Sequence, residues 1–144
     1  MQLDDLYRQV IMDHYTRPRN RGSLADGAVT VNLKNPTCGD EITLQLAVED
    51  GVVKDVRFAG AGCSISMASA SMMTEAVKGR PLAEALELAQ EFRKLMKGEE
   101  ADLDRLGELE ALAGVARFPA RIKCATLAWN ALERGGAAET GAGG

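Results

Sequence analysis

Three short alternating runs, separated by only a few residues, constrain this chain more than any other feature. Residues 28–34, 40–48 and 52–59 alternate apolar with polar side chains, the period of strands that bury one face. Glu49-Asp50-Gly51 links the second and third runs, and Asp-Gly is a hairpin signal. Pro36 and Gly39 break the chain between the first and second. Sequential strands with such short links predict an antiparallel meander with helices covering one face. The fold class is therefore α+β, a three-stranded antiparallel sheet with helices packed on one face.

The remaining chain has helical spacing. Leu6, Tyr7, Val10, Ile11 and His14 share one face, predicting a helix over 3–15 that ends before the breaker-rich Arg17-Pro18-Arg19-Asn20-Arg21-Gly22. A second helix is expected over 64–78, closed by Gly79-Arg80-Pro81. Its small residues Ala68, Ser69, Ala70 and Ser71 permit close backbone approach. A third spans 81–97 on the stripe Leu82, Ala85, Leu86, Ala89, Phe92 and Met96. An acidic, exposed connection leads to a short helix near 104–113, and a last helix is expected over 119–134. Pro119 suits the first helical position and Gly135 the stop. Residues 1–134 are thus expected to form a single domain, and the Gly/Ala-rich 135–144 a disordered tail.

Composition narrows the function. With aromatics at 4%, the core must rest on Leu, Val, Ile, Met and Ala. A net charge of -4 and a pI of about 5.1 argue against a nucleic-acid footprint. No apolar run approaches the roughly 20 residues that span a bilayer, and the acidic start does not resemble a secretory leader, so a cytoplasmic protein is expected. In that compartment three cysteines point to metal or catalytic use rather than to disulfides.

Each cysteine has its own backbone setting. Pro36 and Gly39 place Cys38 on a sharp loop, with Asp40 following. Cys63 falls at a helix N-terminus, where unpaired N–H groups and the helix dipole favour the thiolate. Cys124 lies in the first turns of the last helix. Their spacings fit neither a C-x2-C zinc ribbon nor a C-x-x-C redox motif. The Gly-rich turn before Cys63 lacks the Gly-Lys-Ser/Thr of a phosphate loop. If Cys38, Asp40, Cys63 and Cys124 converge, they form a set of three sulfurs and one oxygen, suited to tetrahedral zinc or to an iron-sulfur cluster. A module whose zinc only pins helices to the sheet is a third reading. His14, the only histidine, is expected to pack or cap at its helix end. A cysteine hydrolase would need a histidine beside its nucleophile. Arg17, Arg19, Arg21, Arg121 and Lys123 could form a basic rim or simply be solvated.

Three segments carry a family likeness: Asn35-Pro36-Thr37-Cys38-Gly39-Asp40, Gly60-Ala61-Gly62-Cys63-Ser64-Ile65-Ser66, and Arg121-Ile122-Lys123-Cys124-Ala125-Thr126-Leu127-Ala128-Trp129. With the opening Leu6-Tyr7, Asp13-His14-Tyr15 and Pro18-Arg19-Asn20, they resemble the IscU/SufU/NifU-N iron-sulfur cluster assembly family up to about Arg134. IscU-type members carry a histidine directly before the third cysteine. Lys123 stands there in this chain, and the acidic stretch near residues 99–110 matches a SufU-type insertion, so the likeness is closer to SufU. The resemblance implies a zinc-dependent sulfurtransferase, a sulfur relay acting with a SufS-type cysteine desulfurase. Cys38 would accept persulfide sulfur for the SUF cluster-assembly proteins, and Cys38, Asp40, Cys63 and Cys124 would hold the metal. Docking of the partner would displace one ligand and release the Cys38 thiolate. The alternative is a scaffold that assembles a transient iron-sulfur cluster on the same ligands.

Overall fold

The computed structural model describes residues 3–24, 28–35 and 39–139. Helix α1 (Leu3–Thr16) precedes strands β1 (Val29–Asn35), β2 (Asp40–Glu49) and β3 (Val52–Ala61). Helices α2 (Ser64–Val77) and α3 (Leu82–Met96), the single turn α4 (Leu103–Leu106), a 3-10 segment (Gly107–Arg117) and helix α5 (Pro119–Glu139) follow. The strands pair antiparallel in the order β1-β2-β3, which is the expected meander.

Local chemistry explains the connections. Asp50 and Gly51 both have positive φ, 54° and 76°, as in a two-residue hairpin turn whose twist matches the strands. The outer edge of β3 is covered by the segment after α1. The Gly22 N–H donates to the Phe58 carbonyl at 2.9 Å, and the Phe58 N–H to the Asn20 carbonyl at 3.0 Å. Covering an edge in this way blocks pairing with another chain.

One face of the sheet is apolar: Ile42, Leu44, Leu46, Val53, Val56 and Phe58 are all buried. Helices α2 and α5 lie against it, and α1, α3 and the 3-10 segment pack behind them. The opposite face carries exposed Thr30, Asn32, Lys34 and Lys54. Where α2 meets α5, the small residues expected to permit close approach are buried. The Ser69 hydroxyl donates to the Ala125 carbonyl at 2.6 Å and accepts from Trp129 Nε1 at 3.2 Å. Trp129 also stacks on Phe92, ring centres 4.8 Å apart, which ties α3 to α5.

The last helix differs from expectation at its end. It runs past Gly135 to Glu139, while residues 140–144 of the expected tail lie outside the described residues. Gly135 is no stop because its missing Cβ is used for packing. A Cβ there would sit 3.4 Å from a Leu46 methyl, and one on Gly136 would sit 3.0 Å from Leu86. The acidic insertion also differs: the short helix expected near 104–113 is one α-turn followed by the 3-10 segment. Asp102 caps that turn by accepting from the Arg105 N–H at 3.2 Å.

His14 takes a packing role. It is buried, with Nδ1 2.8 Å from Ser71 Oγ and Nε2 2.5 Å from Glu108 Oε1, and so ties α1 to α2 and to the insertion. Two of the arginines considered for a basic rim are paired elsewhere. Arg19 bonds Asp13 at 2.7 Å and lies 3.7 Å from Glu75, and Arg17 lies 3.7 Å from Asp13.

Candidate metal centre

Asp40 is the first residue of β2 and shares the inward face with Ile42, Leu44 and Leu46, because side chains two apart along a strand point the same way. It is therefore a carboxylate on the core side, 2% exposed. Its Oδ1 accepts the backbone N–H of Cys63 at 2.9 Å. Its Oδ2 is buried with no hydrogen-bond partner among the described residues. A buried anionic oxygen without a donor is costly and calls for a positive partner.

Cys63 stands immediately before α2 in an extended backbone conformation, and its sulfur makes no capping bond to the helix N–H groups. Burial raises its thiol pKa, and the nearby Asp40 charge adds to that. The Ser66 backbone N–H, the Ser66 hydroxyl and the Cys124 thiol outweigh both, so the net shift is downward, toward thiolate. The Ser66 hydroxyl donates to the Cys63 carbonyl at 3.0 Å and lies 3.8 Å from its sulfur. Cys124, fully buried, comes from the second turn of α5.

Three chain segments thus deliver ligands to one place. The ligand atoms of Asp40, Cys63 and Cys124 all lie within 4.8 Å of one another. Gly62 makes room for them, since a Cβ there would run into Asp40 Oδ1 and Ser66 Oγ. Cys38, the fourth expected member, lies outside the described residues. The chain on both sides of it is held at the centre. Asn35 is the register partner of Asp40, and the Gly39 N–H donates to the Asn35 carbonyl at 2.9 Å. Gly39 has φ +73°, which favours glycine.

The donor set fits a thiophilic divalent cation. Two sulfurs and one carboxylate oxygen match zinc's preferences, and Asp40 and Cys63 repel each other until a cation lies between them. Sequence reasoning named Asp40, Cys63 and Cys124, which the structure brings together, and passed over Ser66 and the steric role of Gly62. Ser66, three residues after Cys63, was the legible signal, because that position faces the residue before the helix.

Residues 6–125 match the NifU-like N terminal domain. The chain belongs to this family. It is 57% identical to the zinc-dependent sulfurtransferase SufU of Bacillus subtilis (strain 168), over 96% of this chain and 95% of that protein. It is 52% identical to the iron-sulfur cluster assembly scaffold protein IscU of Streptococcus pyogenes serotype M1, over 92% and 83%. Among solved structures, a protein of Fervidobacterium islandicum AW-1, assigned as an iron-sulfur cluster assembly scaffold for the SUF system, superposes with a TM-score of 0.85. That pair shares 34% identity over 92% of this chain and 97% of the other. Among the described residues no helix is long and apolar enough to cross a membrane.

Proposed function

We propose that this chain, working as one domain in the cytoplasm, is a zinc-dependent sulfurtransferase of iron-sulfur cluster assembly. In this reading Cys38, Asp40, Cys63 and Cys124 hold the zinc, and Cys38 accepts sulfur from a SufS-type cysteine desulfurase and relays it to the SUF proteins. The observation that carries the reading is the convergence of Asp40, Cys63 and Cys124 around the unpartnered Asp40 Oδ2. The likeness to the Bacillus subtilis sulfurtransferase across nearly all of both chains supports it.

The transfer balances without an external oxidant. The Cys38 thiolate attacks the terminal sulfur of the desulfurase's cysteine persulfide. A new S–S bond forms as the old one breaks, and the desulfurase cysteine leaves as thiolate, so one sulfane sulfur changes carrier with no net redox change. Bound zinc keeps the thiols as thiolates at neutral pH. The chain's own residues orient the centre: the Cys63 N–H fixes Asp40, and Ser66 favours the thiolate of Cys63. Were zinc held by these residues, Asp40, the hard donor in a soft set, would be the ligand most readily exchanged when the partner docks.

The scaffold reading uses the same ligands, and the likeness to the Streptococcus pyogenes scaffold protein supports it. Lys123, exposed beside the buried Cys124 where IscU-type members carry a histidine, favours the transferase. Metal analysis of purified protein, combined with a desulfurase-stimulation assay, separates the two. Zinc with stimulation selects the transferase, whereas iron with sulfide selects the scaffold. Cys38→Ala should abolish sulfur acceptance, and a variant that still takes sulfur from the desulfurase would overturn the assignment of Cys38.

A further inference from the structure

Among the described residues, two buried side-chain atoms have no hydrogen-bond partner, Asp40 Oδ2 and Asn35 Nδ2. One is an acceptor and the other a donor. They belong to facing residues, because Asn35 ends β1 directly opposite Asp40 at the start of β2. Both are buried, Asn35 at 7% exposed and Asp40 at 2%, so water does not readily satisfy either. Residues paired across antiparallel strands have Cβ atoms roughly 4.5–5.5 Å apart, which puts an amide and a carboxylate within reach of each other by side-chain rotation alone.

Asp40 Oδ1 is held by the Cys63 N–H at 2.9 Å, which leaves Oδ2 as the oxygen a cation can take. The Asn35 amide NH2 has no lone pair and is no metal ligand, so it acts only as a donor. Oδ2 thus has two claimants. One is a cation among the ligand atoms of Asp40, Cys63 and Cys124, and the other is the Asn35 amide opposite. A carboxylate oxygen given up by the cation would be left buried and unsatisfied unless the amide took it.

We propose that Asn35 is a positioning residue that takes Asp40 Oδ2 whenever that oxygen leaves the metal. The amide turns about χ2, a soft torsion, and donates to Oδ2 while Oδ1 stays on the Cys63 N–H. The inference rests on the zinc-dependent sulfurtransferase reading and deepens it, because it supplies the receiving group for the ligand exchange on docking. A hydrogen bond to a charged acceptor in a shielded site is among the stronger ones. Formed only when Oδ2 is off the metal, it stabilises the exchanged and metal-free forms and not the fully ligated one. Asn35 therefore weakens zinc binding and speeds release, since affinity falls by whatever the competing state gains.

The test uses the full chain, with zinc as the probe and a coloured chelator as competitor. Asn35→Leu keeps the volume and removes the donor. It should bind zinc about five- to tenfold more tightly than wild type and release it to the chelator correspondingly more slowly. Its metal-free form should melt below metal-free wild type, whereas the two zinc-saturated proteins should melt together. A residue that only supports the fold would lower both melting temperatures and would not tighten zinc binding. Unchanged or weaker zinc binding in Asn35→Leu would therefore overturn the proposal. If Asn35→Leu misfolds, Asn35→Ala decides: it should bind zinc at least about twofold more tightly than wild type, and equal or weaker binding overturns the proposal. A wild type that binds no zinc would sink the zinc-dependent sulfurtransferase reading and this inference with it. A zinc-binding wild type with an unaltered Asn35→Leu sinks this inference alone.

Discussion

The backbone N–H of Cys63 donates to Asp40 Oδ1 at 2.9 Å, so the strand that carries one candidate ligand and the helix that carries another are joined through those two residues themselves. This bond uses one carboxylate oxygen and leaves the other for a cation. It also means that the start of α2 is positioned by the sheet, whatever occupies the centre.

Asp40→Asn and Asp40→Ala should separate these two roles. Asparagine keeps a carbonyl oxygen for the Cys63 N–H but loses the charge. It should leave stability nearly unchanged and weaken zinc binding by about tenfold or more, read by chelator competition. Alanine removes the acceptor as well and should cost about 1 kcal/mol further in urea unfolding of the metal-free protein. Equal unfolding of the two variants would show that the bond to Cys63 carries no stability.

Gly62→Ala tests the space around the ligands. The added Cβ meets Asp40 Oδ1 and Ser66 Oγ, both polar atoms of the centre, rather than the apolar core. Zinc affinity should fall about 10–100-fold, while the metal-free protein should lose no more than about 1 kcal/mol, the worth of the displaced Asp40–Cys63 bond. Gly60→Ala is the contrast. Its Cβ would strike the Glu41 backbone at φ +138°, so it should destabilise the fold by about 1–3 kcal/mol. If both substitutions affected zinc alone, or stability alone, the division of roles between the two glycines would be wrong.

The sheet, its order and the helix faces were legible because period-2 and period-3.6 patterns are local properties, and the hairpin turn was spelled out by Asp50-Gly51. The convergence of Asp40, Cys63 and Cys124 was not local. It depends on α2 and α5 packing closely through Ser69, and only the small-residue stretch at 68–71 hinted at that. Gly135 misled because glycine ends helices when it faces solvent, whereas here it lies under Leu46 and Val31. Asn35 carried no signal of its own, since a buried donor without a partner is visible only once burial is known.

Ser69→Ala should loosen the α2–α5 contact. The Trp129 indole N–H would lose its acceptor in a fully buried setting, at a cost of about 1–3 kcal/mol in chemical denaturation. Because α2 and α5 carry Cys63 and Cys124, zinc affinity should drop in parallel. A stability loss with unchanged zinc affinity would mean the two cysteines are held by other contacts.

The metal-free protein should show unequal thiols. Cys63 has a lowered pKa and is partly accessible, whereas Cys124 is fully buried. A lowered pKa gives more thiolate at a given pH, so the window in which Cys63 alkylates should open at lower pH than for an ordinary thiol. Peptide mapping after limited iodoacetamide treatment near pH 7 should find label on Cys63 well before Cys124. Zinc should protect both, and faster labelling of Cys124 would contradict the observed burial.

Zinc removal should lower stability without unfolding the chain. Small zinc modules owe about 10–16 kcal/mol of folding free energy to their metal because they lack a core. Here Ile42, Leu44, Leu46, Phe58, Phe92 and Trp129 are buried between sheet and helices, independently of the ligands. The metal-free protein should therefore keep its far-ultraviolet circular dichroism and melt cooperatively. Its melting temperature should rise with free zinc as binding linkage requires, by about 2.7 kcal/mol of stability at a hundredfold excess over Kd. A module whose zinc only pins the helices would instead lose its cooperative transition on chelation. Identical melting of zinc-loaded and metal-free protein would remove the metal from the folding argument altogether.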